Sequence, residues 1–267
     1  MDEQSKRKMI RAYFEPPPSW TLWAIVVGAV FFSIGLSAES FGVMFFGGAI
    51  VIIGYVVRYN SSKEKPTDQQ MDEWFEEDLK QITKRANDKT GINETELIGE
   101  PVYITGPRFW NSVGAEVLFK KGADNVIRFT PVDVSIINFT SNQLVVYKCT
   151  LDLTTGNPLN ESTDEYFYKD VVSVSTQSKS LTYDQSILAK NFLKDPMGSL
   201  SSMNATAGKM QVNLAETFVL TTSGGTSVEV VIKDPVLINI SKGGIMPTTR
   251  AENAIQTIRK VLREKKA

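Results

Sequence analysis

The sequence has no histidine and a single cysteine, Cys149, among its 267 residues. Without histidine, the Ser-His-Asp and Cys-His nucleophile systems, the HExxH metal sites and most zinc catalysis are out of reach. One cysteine excludes an intramolecular disulfide and any cysteine-built metal cluster. Cys149 falls in a strand-like run and reads as a small buried apolar residue. Neither sign of charge dominates: 29 Lys and Arg face 30 Asp and Glu, for a formal net charge of -1. No basic field therefore points to nucleic acid. There is no Gly-x-Gly-x-x-Gly, and Gly208-Lys209-Met210 lacks both the hydroxyl residue and the upstream glycine of a phosphate loop. The expectation is a non-enzyme with no catalytic, cofactor-binding or metal-ligating residue. A carboxylate-only hydrolase is the enzyme class that this composition leaves open.

What is abundant is apolar sequence, in two runs. No charge occurs from Trp20 to Ala38, or from Phe41 to Val57. At about 1.5 Å rise per residue, roughly 17–20 residues cross a ~30 Å hydrocarbon layer. Only Glu39 and Ser40 separate the runs, which predicts a tight transmembrane hairpin over residues 20–58. A buried helical pair in a soluble core, or a signal peptide followed by a strand, is the competing reading. Ser37-Ala38-Glu39 is a poor cleavage site, however, and a second run follows at once. Lys6, Arg7, Lys8 and Arg11 precede the hairpin, and Arg58, Lys63 and Lys65 follow it. The positive-inside rule then places both termini, and the body, in the cytoplasm. Six Asn-x-Ser/Thr sequons argue for a lumenal body, but the basic flanks and near-absence of cysteine outweigh them. Trp20, Trp23, Tyr55 and Tyr59 sit at the ends of the runs, as interfacial aromatics do. Gly28 and Gly35, like Gly47 and Gly54, are seven apart, a spacing that lets membrane helices approach closely within one hairpin or between copies. No ionisable group lies inside either run, which suits an anchor rather than a transporter.

Residues 1–19 read as a cytoplasmic tail and 59–96 as a linker with an amphipathic helix. In that helix Met71, Trp74, Phe75, Leu79, Ile82 and Ala86 recur at helical spacing, and Gly91 ends the run. The carboxylates Asp72, Glu73, Glu76, Glu77 and Asp78 read as a solvated face. From 97 to 267 the texture changes to about seven strands with turn signals between them, such as Lys121–Asp124 and Ser223-Gly224-Gly225. A helix over 249–266 follows, with Thr249 and Glu252 as a capping box and Ala251, Ile255, Ile258 and Leu262 as one stripe. The fold class is thus α+β: a helical hairpin, then a mostly antiparallel β sandwich or barrel with a C-terminal capping helix.

That element order, with the Tyr166–Val174 strand, the Phe218–Ile232 hairpin and then Ala254–Lys266, resembles bacterial membrane-tethered pleckstrin-homology-like or GRAM-like domains. The resemblance covers about Val113 to Lys266. It implies a seven-stranded body plugged by the last helix, a bacterial inner-membrane location, and binding of headgroups or peptides through loops or a sheet edge. The chain departs from the pattern by an insert over 179–212, in which Ser186–Lys194 is expected to form a short helix. Candidate headgroup or partner contacts are Lys120, Lys121 and Arg128 on the first hairpin, with Arg108 and Trp110 on a rim loop. Lys242-Gly243-Gly244 offers a possible anion-binding backbone nest, and Arg259, Lys260, Arg263, Lys265 and Lys266 a cationic helix face. Three cations broken by Asp124 are few for a headgroup site. The expected role is therefore a protein-interaction or scaffolding module that self-associates, with the bilayer and a homo-oligomer or protein as partners. The alternatives are anionic-lipid sensing and a tethered carboxylate enzyme.

Overall fold

A computed structural model describes residues 1–63, 65–108, 114–184, 205–206 and 209–266. The chain divides into two compact units, Met1–Thr67 and Asp68–Ala267.

The first unit is helical. Helix α1 (Glu3–Phe14) lies within the stretch read as a tail. The Asp2 carboxylate caps it, accepting from the Ser5 N–H at 3.2 Å, and so satisfies one of the otherwise orphaned first-turn donors. Helices α2 (Trp20–Ser37) and α3 (Phe41–Lys63) form the apolar pair. Both are long and apolar enough to cross a membrane, and only 17% and 11% of their spans are buried. Trp23, Ile34, Leu36, Phe45 and Ile52 are each more than half exposed. A soluble core pair would hide such side chains, each worth roughly 1.5–3 kcal/mol on burial; their outward display suits contact with lipid. The helices meet where they carry no side chain. A Cβ on Gly28 would lie 2.8 Å from Gly47 O, and one on Gly54 would lie 3.1 Å from Thr21 O. Methyls on Gly35 and Gly47 would run into the backbones of Met44 and Phe32.

The second unit opens with α4 (Asp68–Thr90), whose Met71, Leu79, Ile82 and Ala86 are buried. Asp78, expected on a solvated face, is 2% exposed. Ten strands follow among the described residues: β1 (Val102–Pro107), β2 (Leu118–Lys121), β3 (Ile127–Thr130), β4 (Val132–Phe139), β5 (Gln143–Asp152), β6 (Asn157–Phe167), β7 (Val171–Asp184), β8 (Ala205–Thr206), β9 (Lys209–Thr222) and β10 (Ser227–Lys233). All ladders are antiparallel. They form a sheet ordered β1-β4-β5-β6, a sheet ordered β10-β9-β7 with β8 on β9, and a separate β2-β3 hairpin. A short helix (Pro235–Ile240) and the C-terminal helix (Thr249–Lys266) complete the unit.

Both large sheets and the C-terminal helix feed one apolar core. Ile104, Ile137, Leu144 and Val146 come from the first sheet, Phe218, Leu220, Val228 and Val230 from the second, and Ala251, Ile255 and Ile258 from the helix. The sheets come closest where β1 meets β10. A Cβ on Gly106 would collide with the Val231 carbonyl, so only glycine permits this approach.

Four details differ from the sequence reading. The Thr105–Arg108 segment, read as a loop, belongs largely to β1, which pairs with β4 from Val102↔Ile137 to Pro107↔Val132. The run from Asp164 to Ser178, read as one strand, breaks at a 3-10 turn (Tyr168–Asp170) and sends β6 and β7 to different sheets. The flanks of the 179–212 insert are strands, paired as far as Asp184↔Lys209; its expected helix, Ser186–Lys194, lies outside the described residues. The residue paired with Glu252 is Thr248, whose hydroxyl is 2.7 Å from Glu252 Oε1, because the helix begins at Thr249, one residue earlier than a Thr249 cap requires.

Candidate functional site

The β2-β3 hairpin carries three of the expected contact residues, and α4 decides what they can do. Lys120 lies opposite Arg128 in the hairpin register, and Lys121 opposite Ile127. The first two turns of α4 bring Asp68 and Asp72 to this hairpin. The Asp68 carboxylate accepts from the Ala123 N–H at 2.7 Å. Arg128, 9% exposed, donates through Nε and Nη2 to both oxygens of Asp72 at 2.7 Å. It also donates to Asp124 at 2.8 and 3.1 Å, and Asp68 stands 3.8 Å away. Such bidentate guanidinium–carboxylate pairs are strong because two parallel bonds and full charges act together. The hydrogen bond from Arg128 holds the Asp124 carboxyl down at about 2.

The other expected contacts are similarly engaged. Arg108 donates to Asp133 at 3.0 Å. Asp133 is deeply buried, and that burial pushes its carboxyl upward against the pull of Arg108. Lys121 Nζ donates to the Lys242 carbonyl at 3.3 Å. Burial pushes the Lys120 ammonium below its ordinary range, because a charged group loses solvation there. Trp110 lies outside the described residues. The Lys242-Gly243 nest is spent locally, since its N–H groups donate to Asn239 O and Ile238 O and close the preceding short helix. The structure thus brings Lys120, Lys121 and Arg128 onto one hairpin, but the guanidinium there belongs to an internal carboxylate cluster. Spacing along the chain did not reveal that cluster, because two of its three acids, Asp68 and Asp72, come from α4, more than fifty residues upstream.

Beside the cluster lies a cleft of about 480 Å³. Its walls are apolar, with Met71 and Phe75 from α4, Phe129 and Val132 from the β3-β4 segment, and Met246 and Pro247 before the C-terminal helix. Its lining also includes Asp72, Glu76 and Asp124 together with Arg128 and Arg250. Arg250 forms an ion pair with Glu76 and sits over the Phe75 ring at 5.9 Å. The size and the apolar lining suit a recognition pocket. Among the described residues no group of three or more His, Cys, Asp or Glu is arranged to hold a metal ion. Asp68, Asp72 and Asp124 converge instead on a guanidinium.

A second network ties α4 to the first sheet. Glu161 on β6 accepts from Arg85 Nε and Nη2 at 2.7 Å, from Lys89 at 3.0 Å and from the Tyr147 hydroxyl at 2.6 Å. These donors, Arg85 foremost, hold the Glu161 carboxyl at about 2. The Cys149 thiol is 4% exposed, and burial pushes it up to about 12. A thiol held protonated is a poor nucleophile. No family model, curated protein or solved structure matches the chain.

Proposed function

We propose that the chain is a membrane-anchored, non-catalytic protein-interaction module that self-associates, with a pleckstrin-homology-like body on the cytoplasmic face of the bilayer. Several features support this reading. The α2-α3 pair displays apolar side chains along spans of bilayer length, and the basic flanks favour cytoplasmic termini. A four-stranded antiparallel sheet, then a three-stranded one, then a helix packed into their common core is the element order expected of such a body. The β2-β3 hairpin is an addition to that order between β1 and β4.

One observation favours protein recognition over headgroup recognition. The cations best placed for a headgroup are already held: Arg128 by Asp72 and Asp124, and Arg108 by Asp133. A phosphate would have to displace carboxylates at 2.7–3.0 Å to reach them. The cleft beside them offers what a protein partner uses, an apolar anchor pocket with charged residues in its lining. Hydrogen exchange on the full chain in nanodiscs tests the choice. The amides of 118–130 are expected to exchange equally in neutral and in anionic lipid. Slower exchange in anionic lipid, lost when Lys120 and Lys121 become Glu, would establish a headgroup site instead.

A further inference from the structure

The second unit keeps few large apolar side chains on its surface. Among the described residues they are Ile98, Phe167, Val172 and Ile245, 48–65% exposed. Three of these four fall on two faces of opposite charge. Ile245 lines the cleft beside the Arg128 cluster. Phe167 and Val172 flank the 3-10 turn between β6 and β7, against which the C-terminal helix packs. Val172 also lines a groove of about 400 Å³ with Arg259 and Arg263. Apolar groups gathered on a surface in this way mark interaction sites.

The cleft face is acidic. Asp72, Glu76 and Asp124 in its lining are 60%, 49% and 44% exposed, whereas Arg128 is 9% exposed. A partner therefore meets the carboxylates first, and each has acceptor positions beyond those its arginine uses. The turn face is basic. Lys169, Arg259, Arg263, Lys265 and Lys266 gather there against Asp170 and Glu264. Lys169 and Lys265 lie over the Phe167 and Tyr168 rings at 5.7 and 5.9 Å. Arg259 and Arg263 have no carboxylate partner among the described residues. The two faces stand at opposite ends of the C-terminal helix, since Arg250 lines the cleft and Arg263 the groove. At about 1.5 Å per residue that length of helix spans about 20 Å, so one chain cannot fill its own cleft.

We propose that copies of this chain associate head to tail, the turn face of one copy docking on the cleft face of the next. Phe167 enters the cleft among Met71, Phe75, Phe129 and Met246, where thioether and aromatic groups suit a phenyl ring. Arg259 and Arg263 then meet the exposed carboxylates of Asp72, Glu76 and Asp124. Charge complementarity selects a second copy as the occupant, because the chain carries both the acidic socket and the basic, apolar knob that fits it. A lipid surface would meet the cations and Phe167 but leave the acidic cleft and Ile245 uncovered. The contact is heterologous, so each dimer keeps one free socket and one free knob, and further copies add unless a ring closes. The proposal rests on the reading of the chain as a self-associating module and names the faces through which it does so.

Light scattering of the full chain in detergent micelles reads the assembly, and thermal melts check that each variant folds. Arg259→Glu with Arg263→Glu is expected to bring the protein mass down to one chain, and so is Glu76→Lys with Ile245→Lys. Mixed one to one, these two variants are expected to recover a mass of two chains or more, since each supplies the face that the other lacks. Phe167→Ser keeps every charge and is expected to weaken assembly by about tenfold or more. Assembly of the wild type should weaken as salt rises. A wild-type mass that survives either double reversal, or reversals that dissociate the chain without recovery on mixing, would overturn the proposal. So would amide exchange at 166–173 that is slower in phosphatidylserine than in phosphatidylcholine nanodiscs, which assigns the turn face to lipid. An assembled chain indifferent to the reversals refutes these faces alone, whereas a one-chain mass for the wild type refutes self-association itself.

Discussion

Replacing Arg128 by methionine separates a structural guanidinium from a ligand-binding one. The side chain is 9% exposed and makes four hydrogen bonds to Asp72 and Asp124. Methionine keeps most of the apolar stem, so the loss is chiefly the charge and the fork. A hydrogen bond to a charged group contributes roughly 1.5–3 kcal/mol, but the Asp72 and Asp124 carboxylates are 60% and 44% exposed, and solvent screens them. Asp68, Asp72 and Asp124 are also left facing one another. The expected net loss is about 2 kcal/mol, a fall in melting temperature of roughly 4–8 °C for a unit of this size. Arg128→Lys keeps the charge without the bidentate geometry and should fall between.

The same pair gives a pH signature. Folding lowers the Asp124 carboxyl from 3.8 to about 2, so its stabilisation is fully present above about pH 4 and is lost as pH falls towards 2. A gap of that size corresponds to roughly 2.5 kcal/mol without screening, and about 1 kcal/mol once the half-exposed carboxylate is discounted. Thermal melts of wild type and Arg128→Met across pH 2–7 should therefore converge at the acid end. An unchanged melting temperature, or a constant gap at all pH values, would refute the structural role of Arg128.

Glu161→Gln is expected to loosen α4, seen as faster amide exchange over Asp68–Thr90. It should also flatten the stability slope as pH falls from about 4.5 towards 2, because the folded carboxyl sits at about 2 and its stabilisation is present only above that range. In the apolar pair, Gly47→Leu should broaden the near-ultraviolet melt of Trp20 and Trp23 in detergent. Gly42→Leu should not, since nothing lies within 4 Å of a Cβ there; equal effects would refute glycine-mediated helix contact. Cys149, the only thiol, should resist alkylation at pH 8 in the folded chain and react on addition of denaturant.

The elements with strong local signals were legible. The two apolar runs are α2 and α3, the Thr221–Ser227 region is the β9-β10 turn, and the stripe through Ala251, Ile255, Ile258 and Leu262 is the buried face of the last helix. What the sequence hid depends on long-range packing. Strand β1 contains Gly106 and ends at Pro107, residues that signal a loop; the glycine is required there by the approach of Val231. The break between β6 and β7 falls on Tyr168-Lys169-Asp170, which contains no glycine or proline to announce it. It is fixed by the buried Tyr168, whose hydroxyl donates to Thr140 O at 2.8 Å. The short helix Pro235–Ile240 did carry a readable signal, an aspartate cap before a first-turn proline; Asp234 accepts from the Val236 N–H at 2.9 Å. At the candidate site, the cations on the hairpin and the neighbouring Asp124 were visible, but the carboxylates that α4 supplies were not. Asp72 looks like one of several exposed helix acids until α4 is docked.

The central claim is that a membrane-anchored module associates with copies of itself and does not depend on lipid headgroups. Multi-angle light scattering of the full chain in detergent micelles, with the detergent mass subtracted, tests it most directly. The account predicts a protein mass at a whole-number multiple, two or more, of the 29.7 kDa chain, unchanged when Lys120 and Lys121 become Glu. A protein mass of one chain at all concentrations would contradict it.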